Sequence, residues 1–140
     1  QPSRYIVLAG GQEVVDTRTN LIWRHCVEGM SWNGTTCSGV GSAYTHEAAL
    51  QHATAEATKT GVAWRVPNIK ELISIDDYSV TYPAIDSTTF PATPMNLYWS
   101  STPDIDNPGQ ALMGDYTTGG GGPRLPRSSQ YSVRLVRTLQ

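Results

Sequence analysis

Apolar positions come in short runs towards both ends of the chain and at helical spacing in between. Tyr5-Ile6-Val7-Leu8 is a first run of β character, ended by Gly10-Gly11. Val14-Val15 and Leu21-Ile22-Trp23 flank the polar cluster at residues 16–20, which predicts a β-hairpin with Trp23 in the core. A helix is predicted from Thr45 as N-cap to Gly61 as C-cap. Glu47 in its first turn and Lys59 near its end suit the helix dipole. Ala49, Leu50, Ala53 and Ala57 give it a narrow apolar stripe, small enough for close packing on a sheet or a second helix. His46 and His52 fall on the polar side and are expected in solvent.

The densest local signal is Trp64-Arg65-Val66-Pro67-Asn68-Ile69-Lys70-Glu71-Leu72. Pro67 has no N–H and pushes Val66 towards extended geometry. Asn68 reads as an N-cap, with Glu71 placed to close a capping box. Ile69, Leu72 and Ile73 form the apolar face of a second helix. Trp64 is the expected core anchor, and Arg65 is expected to find backbone carbonyls at the strand-to-helix corner. Pro83, Pro91 and Pro94 then exclude a helix or a central strand over residues 82–94, with Ile85 and Phe90 as anchors. Strands are predicted at residues 97–101 and 111–113, with a polar loop at 104–110 between them. The glycines at 119–122 predict a mobile hairpin loop. Without a following Lys-Ser/Thr they do not make a phosphate loop. Residues 131–137 carry apolar side chains on both faces and predict a central final strand.

The 140 residues suit one domain, 1–140, with residues 1–4 as an extended N-terminal segment. Only 16% of residues are charged and the formal net charge is -2, so no basic surplus points to nucleic acid. No apolar run has the length of a membrane span. Plentiful Thr, Ser, Gly, Asn and Pro with little Lys favour an extracellular or cell-surface location, with a signal peptide already removed. Cys26 and Cys37 bracket a turn-rich, aperiodic loop, 27–36, and are expected to form a disulfide rather than remain buried thiols. With His25 they offer no second ligand pair for zinc. Asp76, Asp77 and Asp86 lack the spacing of a calcium loop and read as capping or turn residues. No metal and no cofactor are expected.

Taken in order, residues 15–23, Trp32-Asn33-Gly34-Thr35-Thr36-Cys37, Tyr44-Thr45 with Glu47-Ala48-Ala49-Leu50, residues 64–72, Tyr98-Trp99-Ser100-Ser101 and Val133-Arg134-Leu135-Val136-Arg137 resemble the Lcl C-terminal domain family, the bacterial domain that ends a collagen-like adhesin. The resemblance runs from about residue 4 to residue 137. It implies an α+β, C-type-lectin-like fold, related also to the formylglycine-generating enzyme, with two helices packed on twisted antiparallel sheets, close termini and one disulfide. The cysteine pair fits the family pattern. The resemblance further implies secretion, and in the adhesin itself trimers that bind sulfated polysaccharides. The negative net charge departs from that ligand, and the calcium-lectin triplets Glu-Pro-Asn, Gln-Pro-Asp and Trp-Asn-Asp are absent.

The function expected is a non-catalytic binding module, adhesin or lectin-like, for a glycan or a surface protein. Its ligand surface is expected in residues 104–131, from Asp104, Asp106, Asn107, Gln110, Tyr116, Arg124, Arg127 and Tyr131. A formylglycine-type enzyme needs cysteines in the C-terminal half, and none follows Cys37. A serine hydrolase needs a Gly-x-Ser-x-Gly elbow, also absent. The alternative is a structural subunit of a surface filament, a trimer or polymer in which residues 5–8 join a neighbour's sheet.

Overall fold

A computed structural model describes residues 4–94, 96–117 and 119–138; part of the expected N-terminal extension, residues 1–3, lies outside them. The fold is α+β. Strands β1 (Tyr5–Val7), β2 (Glu13–Asp16) and β3 (Leu21–Arg24) form an antiparallel meander, and β9 (Val136–Thr138) pairs with β3 to give the order β1-β2-β3-β9. Strands β4 (Met30–Trp32) and β5 (Cys37–Gly39) make a small hairpin. Strands β6 (Leu97–Pro103), β7 (Gln110–Asp115) and β8 (Leu125–Pro126) form a third antiparallel sheet. Helix α1 spans His46–Thr60 and α2 spans Ile69–Ser74.

Register explains the interior. Val14 pairs with Trp23 and Trp23 with Val136, so these side chains share one face of the first sheet. They join Leu72, Ile75, Ile85, Phe90, Tyr98 and Tyr116 in one apolar cluster. Val15 pairs with Ile22 on the opposite face. That face belongs to a second cluster with Ala49, Ala53, Trp64, Trp99, Met113 and Leu135. Adjacent residues such as Tyr98 and Trp99 therefore point into different clusters.

Both helices follow their local signals. Thr45 accepts from the Ala48 amide, and Gly61 closes α1 at φ 73, a left-handed value that suits glycine. Asn68 and Glu71 complete the capping box of α2. The disulfide joins Cys26 and Cys37. Arg65 departs from expectation: it holds both carboxylate oxygens of Glu71, at 2.6 and 2.7 Å, rather than carbonyls at the corner. A planar guanidinium matches a carboxylate better than scattered carbonyls.

Several loop and strand expectations change. Of residues 5–8, Tyr5–Val7 form β1 in the chain's own sheet. The glycine run is tied down, with Gly120 donating to Asp76 at 2.7 Å and Gly119 to the Asp115 carbonyl at 3.1 Å. Of the final run only Val136 and Arg137 form a ladder, within β9. Before them the chain makes single bridges, Tyr131 to Tyr44 and Ser132 to Tyr98, while Val136 also bridges to Arg65. Arg134 in this run is 1% exposed, over the rings of Phe90, Tyr98 and Tyr116, and donates to Thr93 at 2.8 Å.

Candidate functional site

The β6–β7 connection forms one end of the third sheet. Backbone amides of Asp104, Asn107 and Gln110 donate to the carbonyls of Gln110, Asp104 and Asn107. Asp104 and Asn107 also accept through their side chains from the amides of Asp106 and Gly109. Such side-chain turns hold a loop without a ladder. Ile105 at its tip is 94% exposed. Arg124 lies 3.5 Å from Asp104, and the Arg127 amide donates to Gly109. The start of α1 completes this end, where Thr45, Glu47, Gly109 and Arg127 edge a hollow of about 610 Å³.

Six of the expected residues therefore gather here: Asp104, Asp106, Asn107, Gln110, Arg124 and Arg127. Tyr116 does not. It is fully buried, and its hydroxyl donates to the Leu72 carbonyl at 3.0 Å. An aromatic body with a satisfied hydroxyl belongs in a core, and burial pushes its pKa well above the usual tyrosine value. Tyr131 is half-buried against the edge of Trp99. Asp104 is 5% exposed, so it orients the loop and Arg124 more than it meets a ligand.

Arg127 has a second task. His46, expected in solvent, is 3% exposed. Its Nε2–H donates to the Ser100 carbonyl at 2.9 Å, and its Nδ1 accepts from Arg127 Nε at 3.0 Å. Only the neutral ring fits both partners. Burial lowers its pKa, the Ser100 carbonyl opposes that, and the Arg127 charge lowers it further.

A second concave region was not legible as a site. A cleft of about 680 Å³ opens between the C-terminal half of α1 and the segment entering the disulfide hairpin. Arg24 Nη1 contacts Glu28 Oε1 at 3.0 Å and Glu56 Oε1 at 2.7 Å. His52, also expected in solvent, stacks on Tyr44 and donates to the same Glu28 oxygen at 2.7 Å. Glu28 is 5% exposed, with its backbone fixed to Val133 and Ser42. The Arg24 guanidinium lies 4.8 Å from the centre of the Trp64 ring. The hydrogen bond that Glu56 accepts from Arg24 is the main cause that lowers the Glu56 pKa. The available signal was the stripe His52, Glu56, Lys59 on the polar face of α1, spaced four and three residues apart.

Among the described residues, no three or more His, Cys, Asp or Glu side chains converge as a metal site. No helix among them is long and apolar enough to cross a membrane.

An α+β fold with two helices, antiparallel sheets and one disulfide is what the ordered sequence pattern requires. The chain belongs to the Lcl C-terminal domain family, whose model matches residues 12–137. Neither the curated proteins nor the solved structures contain a match. Kinship with C-type lectins therefore rests on the family resemblance. Membership points to a surface-associated domain of an adhesin-like protein.

Proposed function

We propose that this chain is a non-catalytic extracellular binding module, adhesin or lectin-like, that presents the β6–β7 loop end to a glycan or protein ligand. The observation that carries the reading is the loop end itself. It sets exposed Ile105, Asp106, Asn107 and Arg124 on a backbone fixed by its own hydrogen bonds. Preorganised loops lose less freedom on binding. The disulfide and the family support an extracellular location. All three histidines are held in structural contacts, His25 to the Gly11 carbonyl and stacked on Trp32, which favours binding over catalysis.

A glycan array that includes sulfated polysaccharides tests this. The informative variant is Arg124→Ala with Asp106→Ala, since both side chains are exposed and neither accepts from the loop's backbone amides. Binding at least tenfold weaker at an unchanged melting temperature is expected. Unchanged binding would move the ligand surface elsewhere. Arg127→Ala is less clean, because it also strips a partner from buried His46.

The structural-subunit reading retains one supporting observation. β1 lies at the margin of its sheet, with Ile6 50% and Val7 47% exposed. Native mass spectrometry and electron microscopy of the purified chain separate the two: long polymers would favour the subunit.

A further inference from the structure

We propose that the cleft between α1 and the disulfide-tethered segment is a second ligand site, and that it takes a neutral polyhydroxylated ligand, such as an uncharged sugar unit. Its size falls within the roughly 300–1,000 Å³ of small-molecule sites. Glu47 at the loop end and Lys59 at the cleft are twelve residues apart on α1, which is about 18 Å along its axis. The site is thus independent of the loop end, and either can fail alone.

Charge selects the ligand. The carboxylates of Glu13, Glu28 and Glu56 face the cleft, and they disfavour a sulfated or phosphorylated group. A cationic ligand is disfavoured too. Arg24 already occupies the position between Glu28 and Glu56, with its guanidinium over the Trp64 ring, and Lys59 stands beside Glu56. Arg137 holds Glu13 at 2.9 Å. Three cations therefore balance three carboxylates, and a neutral guest adds no unpaired charge.

Hydrogen-bonding capacity remains. Every contact within the Arg24, Glu28, His52, Glu56 network falls on the two Oε1 oxygens, which leaves Oε2 of the more exposed Glu56 as an acceptor. Lys59 and Gln12 add donors at the rim. A hydroxyl donates and accepts, so neighbouring hydroxyls match alternating carboxylates and cations. Met30 and Val62 give the cleft apolar wall for the C–H face of a sugar ring. The Glu56 acceptor is fixed in advance by Arg24, which buried Glu28 also holds.

The test uses uncharged mono- and disaccharides, with heparin-type sulfated oligosaccharides alongside, read by amide shift changes in nitrogen-15 spectra of the whole chain. At least one uncharged sugar should shift amides of residues 24–30 and 52–62. Two variants check the site without touching buried Glu28. Glu56→Gln with Lys59→Ala removes an acceptor and a donor at the rim, and Thr60→Trp blocks the mouth from an exposed position. Each should weaken binding at least tenfold while the remaining spectrum shows a folded chain. Arg124→Ala with Asp106→Ala should leave it unchanged. The proposal is overturned if no uncharged sugar shifts these amides, if only sulfated ligands do, or if the shifts persist with Thr60→Trp. Shifts confined to residues 104–110 would overturn it too, while sparing the loop-end reading.

Discussion

The packing of α2 on β7 can be tested at one contact between Gly114 and Leu72. A Cβ built on Gly114 would lie 2.7 Å from Leu72 Cδ2 and 2.9 Å from Leu72 Cγ. Carbon atoms prefer about 3.5–4.0 Å, so the overlap approaches about 1 Å. Leu72 is fully buried in the first cluster, so it has no solvent to retreat into. Gly114→Ala should therefore destabilise by about 1–3 kcal/mol, the usual range for overpacking. Leu72→Ala should cost about 2–5 kcal/mol through lost burial and a cavity. In the double variant the new methyl faces only the Leu72 Cβ, at 3.9 Å, which is ordinary contact. The double variant should be less destabilised than the sum of the singles by at least the overpacking cost, about 1–3 kcal/mol. The Tyr116 hydroxyl bonds a backbone carbonyl, so that interaction survives in all variants. Urea unfolding of the oxidised chain, followed by circular dichroism, gives the four free energies, and matching m-values show that the comparison is fair. For 140 residues the unfolding entropy is about 0.3 kcal/mol/K, so each kcal/mol shifts the melting temperature by about 3 °C. A Gly114→Ala variant within about 0.5 kcal/mol of wild type, or additive singles, would refute the contact as described.

Three further outcomes are expected. Replacing both cysteines with serine removes a cross-link between residues eleven apart and should cost about 2.5–3 kcal/mol on the chain-entropy model; an unchanged urea midpoint would contradict it. Asp76 has its pKa raised to about 6, burial being the main cause and the Gly120 amide opposing it. The folded state then binds that proton more tightly than the unfolded state, so this group's contribution to stability falls as pH rises from about 4 to about 6. Asp76→Asn should gain on wild type over that window, and parallel melting curves from pH 4 to 7 would count against it. Trp64→Ala should cost about 3–5 kcal/mol, because the ring is 6% exposed beneath Arg24; a midpoint equal to wild type in urea would place Trp64 outside the core.

What could be read from the sequence was mostly local. Thr45, Gly61 and the Asn68–Glu71 box act within three or four residues of themselves, so composition at those positions sufficed. The β2–β3 hairpin was legible because Val14 and Val15 each need a separate face. Strands β4 and β5, three residues each, are too short to show a period. Tyr116 looked like loop because its sequence neighbours are polar, yet its hydroxyl partner lies 44 residues away. His46 was misread for the same reason, since Ser100 lies 54 residues distant. The loop end was foreseeable from its glycines, prolines and Asx residues. The cleft was not, because Arg24 meets Glu56 and Glu28 meets His52 only after the sheet and α1 have docked.

The bridges made by residues 131–136 bear on synthesis. This run contacts Tyr44, Tyr98, Trp23 and Arg65, which belong to segments made long before it. Until residues 133–136 leave the ribosome, the two apolar clusters lack Val133, Leu135 and Val136. Folding of this domain therefore awaits synthesis of residues 131–136, and closure across more than a hundred residues makes it slow. A prematurely terminated chain would keep its apolar faces open, marked for proteolysis rather than carried forward as a partly working domain.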